Sequence, residues 1–339
     1  MRSPWGRRGE RPPVPGRGAS PEWESSGAGS IPDSAPDPDH LEGAGPPPIE
    51  PGLPRLAFVG AGRVGTALGC ALRRAGWPVT AVASRDAARR ERFLALVPGA
   101  TAHAQPHAIL DEADLLFLTV PDDEIVGVAA GIRLYSGQAI VHTSGVLPAV
   151  ALAPAMAAGT EAGSFHPLVA FTDLDTALGA LPGSRIAIEG DEGLLPLLEE
   201  LAGALGARPV RVTAEGKVAH HVAAVLAAGG LVALLDVIAE LGAAAGLSGE
   251  DQLGAYAGLA QQSLENARRL GTGLALTGPI ARGDTGTVRR HLETLRQVAP
   301  DALPVYVALT ERALLLAEGR GEPEQARRAE LLALLASAR

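Results

Sequence analysis

Lys217 and His221 can both exchange protons near neutral pH, and they stand four residues apart in the sequence. That spacing places them on one face of a helix. A lysine with a desolvated ammonium, or a histidine with its ordinary pKa of ~6.5, can give a proton to an oxygen or nitrogen atom that gains charge in a reaction. The structural alternatives are a solvated lysine at the helix start and a histidine packed in the core.

Three further residues are candidates for a site. His166 lies at the end of a predicted strand, where a side chain can face the cleft at the carboxyl edge of a parallel sheet. Arg282 can bind a substrate carboxylate through two hydrogen bonds. Asp284 is a candidate catalytic residue or the N-cap of the helix that follows it. The histidines lack the cysteine and carboxylate spacings of zinc or iron sites, so we expect no metal.

A glycine-rich motif, GAGRVG at residues 60–65, follows the apolar run 56–59 and precedes a predicted helix. The first glycine permits a tight turn, the second lets a pyrophosphate approach the backbone, and the third lets the helix pack closely on the strand. The helix N-terminus offers free N–H groups to the phosphates. A plain turn is the alternative in a chain with 42 glycines, but the position favours nucleotide binding. The predicted contacts are Gly60, Gly62, Arg63, Val64 and Gly65.

The end of the second predicted strand indicates which dinucleotide binds. An acidic residue there accepts hydrogen bonds from the ribose of NAD, whereas a basic one suits the 2′-phosphate of NADP. Ser84 and Arg85 occupy these positions, and the acid, Asp86, follows as the start of a helix. We therefore expect NADP rather than NAD, with Ser84 and Arg85 as contacts.

The elements that must position these residues alternate between strand and helix. From residue 55 to 213 this alternation predicts a doubly wound parallel Rossmann sheet. From 214 to 339 only helical stretches follow, which predicts an all-helical second domain. Residues 1–54 hold 13 of the 27 prolines and no apolar run long enough for a core, so we expect a disordered tail.

Composition excludes several classes of function. The net charge of −9 offers no basic footprint for nucleic acid. The single cysteine, Cys70, cannot form an internal disulfide, so a reducing, cytoplasmic compartment is expected. The apolar run from Val222 to Leu235 is shorter than the ~18 residues of a membrane span, so we interpret it as a buried helix of a soluble protein.

Four short strings carry a resemblance to a known family. LTVPDD at 118–123 resembles the turn beside the nicotinamide ribose in the 6-phosphogluconate dehydrogenase superfamily. VHTSG at 141–145, SFHPL at 164–168 and GPIARGD at 278–284 narrow the match to a bacterial family of NADP oxidoreductases. In that family a Rossmann-like domain is joined to a domain of unknown function. The resemblance covers about residues 55–315.

The resemblance implies roles for particular residues. Val120 and Pro121 would lie beside the cofactor, and Ser144 just beyond the next strand is a further candidate contact. Lys217 falls where β-hydroxyacid dehydrogenases carry a proton-donating lysine. The sequence departs from the family pattern at one place: Gly229 and Gly230 stand where the family usually has an asparagine. This removes a possible hydrogen-bonding partner of the substrate or nicotinamide and leaves open whether the site is catalytically competent.

The expected function is NADP-dependent hydride transfer on a small carbonyl, hydroxy or imine substrate in the cleft between the domains. A homodimer through the helical domain is expected, with apolar faces such as Val222, Leu226 and Leu234. One alternative is a non-catalytic NADP-binding sensor or partner-binding protein. Another is an enzyme similar to ketopantoate reductase.

Overall fold

The computed structural model describes residues 52–339. Residues 1–51 of the expected disordered tail therefore lie outside the described residues. The chain divides after Ala224 into two compact units, the second being Val225–Arg339. The predicted domain boundary after residue 213 stays a prediction.

The first unit contains one eight-stranded sheet. Its strands are β1 (Leu56–Val59), β2 (Val79–Ala83), β3 (Thr101–His103), β4 (Leu115–Leu118), β5 (Ala139–His142), β6 (Glu161–Pro167), β7 (Arg185–Gly190) and β8 (Arg208–Arg211). The spatial order is β3-β2-β1-β4-β5-β6-β7-β8, which is the doubly wound order with two strands added at one edge. The α/β fold class is confirmed.

The central strands are apolar along their whole length because both sides of the sheet are covered. On one side Phe58 stacks on Phe117 with ring centroids 4.9 Å apart, and Phe165 meets Phe117 edge-on at 5.7 Å. On the other side smaller residues such as Ala57 and Ile140 are fully buried. The sheet thus forms a rigid base for the loops that leave the carboxyl ends of its strands.

Two strands at one edge, β7 and β8, run opposite to the others and depart from the wholly parallel sheet that the sequence predicts. β7 runs antiparallel to β6, while β8 is parallel to β7. Gly163 and Gly190 face each other across this pair, and Gly190 has a φ of 145°. A side chain at Gly190 would clash with the backbone of Ala162, so the close approach at this edge requires glycine.

Helices flank the sheet of the first unit. Two short helices, α3 (Asp122–Ala130) and α4 (Leu174–Ala180), are absent from the sequence prediction, and α3 begins within the acidic turn after β4. Asp86 caps the second helix by accepting a hydrogen bond from the Arg89 N–H at 3.1 Å, as expected for a helix start. The bounds are α1 (Arg63–Arg74), α2 (Ala87–Leu96), α3 (Asp122–Ala130), α4 (Leu174–Ala180), α5 (Leu195–Ala204) and α6 (Lys217–Val225).

The second unit, residues 225–339, contains helices and no strand among its described residues. Its main apolar core joins side chains of several helices, including Val288, Leu314 and Leu331. The helices are α7 (Leu231–Ala244), α8 (Asp251–Leu270), α9 (Thr272–Ala275), α10 (Pro279–Arg282), α11 (Thr285–Val298), α12 (Leu303–Glu318) and α13 (Gln325–Ala336). The all-helical character of the C-terminal region is confirmed.

The apolar stretch around Val222 is not a buried helix, so that prediction was wrong. Its residues lie on the helical run Lys217–Ala244, which includes a π-helical turn at Leu226–Gly230. The Leu226 side chain is 65% exposed, and Val222 is exposed as well. An apolar sequence indicates that a surface is buried against something, but it does not indicate whether the same chain or another molecule buries it. By length and composition alone this run could also cross a membrane, and one such helix is weak evidence.

Candidate functional site

A cleft of about 800 Å³ opens at the glycine motif of the first unit. It lies at the carboxyl ends of β1, β2 and β4, where ligands bind in doubly wound folds. We call it the glycine-turn cleft. Most of the predicted cofactor contacts line it, namely Gly60, Gly62, Arg63, Val64, Ser84, Arg85, Val120 and Pro121.

The surroundings of the three motif glycines differ, and so does the effect that a side chain would have at each position. Gly60 has a φ of 107°, and a Cβ on it would lie 2.8 Å from the Thr119 carbonyl oxygen. A Cβ on Gly65 would clash with the Gly60 carbonyl oxygen and with the Thr119 side chain. A Cβ on Gly62 would meet no atom closer than 4.0 Å. Gly60 and Gly65 are thus required by the fold, whereas Gly62 leaves open space toward the cleft.

Thr119 is a residue that the sequence reasoning missed. Its hydroxyl donates to the carbonyl oxygen of Gly60 at 2.7 Å and also lies 3.2 Å from that of Val59. It therefore ties the glycine turn after β1 to the neighbouring strand β4. A threonine between an apolar strand and Val120-Pro121 has no distinctive spacing, so only the tertiary contact reveals this role.

Arg85 lies at the rim of the glycine-turn cleft, as its predicted contact with a 2′-phosphate requires. In the structure its guanidinium binds both carboxylate oxygens of Glu124, at 3.0 and 2.8 Å. The Arg85 side chain is 81% exposed, so this ion pair is a weak surface interaction. Arg89 also lines the cleft and is paired with Asp86 at 3.3 Å.

Lys217 is fully buried, with 0% of its surface exposed. Its Nζ donates to the Ser144 carbonyl oxygen and to Ser164 Oγ, both at 2.9 Å. The Ser164 hydroxyl in turn lies 3.4 Å from a carboxylate oxygen of Glu189, to which it can donate. Burial lowers the pKa of Lys217 to about 8, although the charges of Glu189 and Asp122 act in the opposite direction.

Three histidines lie together above this lysine. His166 Nδ1 is 3.3 Å from His220 Nε2, and the His166 and His221 rings have centroids 6.0 Å apart. Gly145 packs directly against two of these rings. A Cβ at this position would lie 2.5 Å from His221 Nδ1 and 2.7 Å from His166 Cε1, so there is no room for a side chain. We call Lys217, Ser144, Ser164, His166, His220 and His221 the Lys217 group.

Burial favours the neutral form of two of these histidines, His166 and His220, and of the nearby His142. Burial, followed by the charge of Lys217, lowers the pKa of His166 to about 4 and also lowers that of His220. His142 on β5 is fully buried, and burial lowers its pKa to about 4. Because the Pro148 carbonyl oxygen can only accept, neutral His142 carries its proton on Nε2, 3.2 Å from that oxygen.

The structure thus brings together Lys217, His166, His221 and Ser144, which are far apart in the sequence. The Ser144 side-chain oxygen accepts from the N–H groups of Val146 and Leu147, and its predicted contact with a cofactor stays a prediction. Within residues 52–339 no set of three metal-binding side chains is arranged to hold a metal ion.

Arg282 and Asp284 lie in the second unit, at the end of α10 and the start of α11. The Asp284 carboxylate accepts from the Thr287 N–H at 3.0 Å, so it caps α11 as the structural alternative predicts. That hydrogen bond lowers the pKa of Asp284. The substrate-binding role of Arg282 stays a prediction.

Ser164, Glu189 and His220 are members or neighbours of the Lys217 group that the sequence reasoning did not select. One signal in the sequence points to the group: Lys217 is the only lysine among the 29 Lys and Arg residues. All the other basic residues are arginine, so a lysine at this one position indicates a site that needs a compact ammonium.

Two family models match the chain, a Rossmann-like domain over residues 45–167 and the domain of unknown function DUF2520 over residues 184–313. The chain thus carries both domain matches, the Rossmann-like domain first and DUF2520 second. This confirms the family that the short strings predict. Comparison with curated protein sequences gives no match.

Solved structures share the fold over most of this chain. A protein of Thermotoga maritima is 25% identical, with a TM-score of 0.63 over 79% of this chain and 100% of that one. A "putative NADP oxidoreductase" of Bacteroides fragilis is 21% identical, with a TM-score of 0.63 over 77% and 98%. A 1-pyrroline-5-carboxylate reductase of Streptococcus pyogenes is 14% identical, with a TM-score of 0.56 over 79% and 99%. Other matches include imine reductases and a pyrroline carboxylate reductase with NADP bound.

Proposed function

We propose that this DUF2520 protein is an NADP-dependent oxidoreductase that transfers a hydride between the nicotinamide and a small carbonyl, hydroxy or imine substrate. One observation carries the proposal. Thr143 lines the glycine-turn cleft, and the next two residues, Ser144 and Gly145, contact Lys217 and the histidines. A single loop after β5 therefore joins a dinucleotide-sized cleft to a cluster of proton-exchanging side chains.

The glycine-turn cleft fits a dinucleotide. The open space at Gly62 and the N-terminus of α1 suit the pyrophosphate, because free N–H groups and the helix dipole favour an anion there. Ser84, Arg85 and Arg89 line the far end of the cleft and suit a 2′-phosphate. The bound cofactor supplies the hydride chemistry, and the chain orients it and manages protons. The NADP-linked names of structural relatives support the same choice of cofactor.

Proton exchange with the substrate is assigned to His166 and His221. Both are partly exposed, whereas Lys217 is fully buried and two of its three donors are used within the protein. With a pKa of about 4, His166 is neutral at pH 7 and suits a proton acceptor in the oxidation of an alcohol or amine. The reverse reduction then needs the protonated ring, so we expect reduction to be fastest at acidic pH.

The names of the structural relatives suggest which substrates to test first. Pyrroline carboxylate reductases and imine reductases are named for the reduction of C=N bonds, so imines are the first compounds to test. Arg282 is proposed to bind a substrate carboxylate, as an arginine does with two parallel hydrogen bonds. The enzyme is proposed to act in the cytoplasm.

A homodimer is also proposed. Val222, Leu226 and Val232 are large apolar side chains exposed along one helical run, and such a surface is normally covered. A second copy of the chain would cover it without a further partner. Light scattering at micromolar concentration should give a dimer, and Leu226→Glu should give monomers; a wild-type monomer contradicts this proposal.

The function is tested by two measurements on the full chain. NADPH and NADH titrations should show tighter binding of NADPH, and an equal or reversed preference contradicts the assignment to Arg85. Turnover is then measured with a panel of cyclic imines, imino acids, ketones and ketopantoate. Binding without turnover of any compound would favour the non-catalytic sensor, and turnover of ketopantoate alone would favour the ketopantoate reductase alternative.

A further inference from the structure

The lysine at position 217 stands out because arginine replaces lysine everywhere else in this chain. A lysine ammonium is a compact charge with three tetrahedral donors, whereas a guanidinium is planar and larger. The two acceptors of Lys217 lie on different segments: the Ser144 carbonyl oxygen is in the loop after β5, and Ser164 Oγ is in the middle of β6, each 2.9 Å from Nζ. A planar guanidinium could not take the same place without moving one of them.

Among residues 52–339 no carboxylate is in direct contact with the buried ammonium. Ser164 lies between Lys217 and Glu189, and the Glu189 carboxylate also accepts from the Ala149 N–H at 2.8 Å. The chain Lys217–Ser164–Glu189 therefore connects α6, β6, β7 and the loop before residue 149. Such a connection fixes the loop that carries Ser144 and Gly145.

The charged and titratable groups around the lysine come from five elements. They are Asp122 of α3, His142 of β5, His166 of β6, Glu189 of β7, and His220 and His221 of α6. The positive charge of Lys217 acts on His142, His166 and His220 in the same direction, against their protonation. Since Lys217 has no exposed surface, it affects the partly exposed histidines without contacting a molecule in the cleft.

We propose that Lys217 is a positioning residue: its ammonium holds the loop after β5 against β6, next to the cluster of His166, His220 and His221, and faces His166 and His220 as a fixed positive charge. This inference rests on the proposed function only in assigning substrate contact to the histidines. The positioning role itself is a property of the protein without cofactor or substrate.

A first test uses the wild-type chain, in which a single lysine makes the observation unambiguous. Protein grown with carbon-13-enriched lysine should give one ε-carbon signal, titrating at about pH 8. Acetic anhydride followed by mass spectrometry should modify Lys217 at least a hundredfold more slowly in the folded than in the denatured chain. An ordinary lysine titration, or rapid acetylation in the folded state, would place the ammonium in solvent and overturn the proposal.

A second test compares Lys217→Met with Lys217→Arg, and uses Arg208→Met as a control that removes an exposed positive charge from β8. Histidine NMR signals are titrated in protein without cofactor. In Lys217→Met the titration of His166 should move from about pH 4 toward the ordinary value of histidine, and in Arg208→Met it should not move. Unchanged histidine titrations in folded Lys217→Met would contradict the proposal.

Once a substrate is known, the pH profile separates positioning from proton donation. In the oxidation direction Lys217→Met should keep part of its activity, and its loss of activity with acid should occur at a higher pH than in wild type. Complete loss at every pH, with normal NADPH binding and unmoved histidine titrations, would make Lys217 the proton donor. Failure of all variants and the wild type to turn over any substrate would count against the proposed function, while the NMR result would still decide the positioning role.

Discussion

The glycine-turn cleft and the Lys217 group lie on the same unit but use their charges differently. In the cleft the arginines are at the surface, and the Arg85 guanidinium is paired with Glu124 where solvent screens both. In the Lys217 group one ammonium is fully buried, and burial followed by the charge of this ammonium lowers the pKa of His166 and His220. The first arrangement suits an anion that arrives from solvent, and the second suits a stable protonation state. Substitutions in the two regions should therefore differ in kind and in size.

The largest effect is expected from Gly65→Ala, which tests whether the cleft depends on backbone packing. The new methyl group would clash with the Gly60 carbonyl oxygen and the Thr119 side chain. We expect a loss of about 3 kcal/mol or more in the free energy of unfolding, with NADPH binding lost as well. Gly62→Ala is the matched control, because its Cβ meets nothing closer than 4.0 Å. It should lose NADPH affinity at nearly unchanged stability, as measured by urea unfolding and fluorescence titration; equal destabilisation by both variants would refute the distinction.

The next largest effect is a loss of folding stability in acid, caused by the protonation of the buried His142. Unfolded His142 takes up a proton near its ordinary pKa, but folded His142 does so only at about pH 4, so lowering the pH from 6.5 to 4 favours the unfolded chain. This residue alone should then cost about 3 kcal/mol of stability across that window. His142→Gln keeps an N–H for the Pro148 carbonyl oxygen and cannot titrate. The free energy of unfolding of this variant, measured by urea unfolding at each pH, should fall less steeply with acid than that of the wild type. Identical slopes for the two proteins would show that His142 does not contribute to the pH dependence of stability.

Gly145→Ala addresses the contact between the loop and the histidines. The added Cβ would lie 2.5 Å from His221 Nδ1, so the ring must move. We expect a loss of about 1–3 kcal/mol in stability and altered NMR shifts of His166 and His221. NADPH affinity should stay within a factor of a few, because Gly145 does not line the cleft. A large loss of NADPH binding would show that the two regions are not separable in this way.

The smallest effect is expected at the rim of the cleft. Glu124→Gln removes the carboxylate that pairs with Arg85 and leaves the guanidinium free for a 2′-phosphate. Because exposed ion pairs contribute under about 1 kcal/mol, the affinity for NADP should rise by less than about fivefold, and that for NAD should hardly change. Calorimetric titrations with both cofactors measure this. An equal gain for both cofactors would mean that Arg85 does not select the phosphate.

Contiguous stretches of sequence were the most predictable parts of this molecule. The segment 56–65 contains a strand, a turn and a helix start in sequence, so its fold follows from local rules. The cap at Asp86 and the strands β1, β2 and β5 follow from equally local patterns. By contrast, the reversal of β7 depends on how two chain segments meet at Gly163 and Gly190, and no local pattern contains that contact.

The sequence by itself determined the α/β fold, the glycine turn and the presence of one unusual lysine, because strand periodicity, glycine spacing and residue type are all written along the chain. Only the tertiary structure decided that Lys217 is buried, that Ser164 connects it to Glu189, and that Gly145 leaves room for two histidine rings. It also decided that the apolar helix is exposed in the single chain. Burial and long-range contact depend on which surfaces meet in space, and that is where the pKa of a side chain is set.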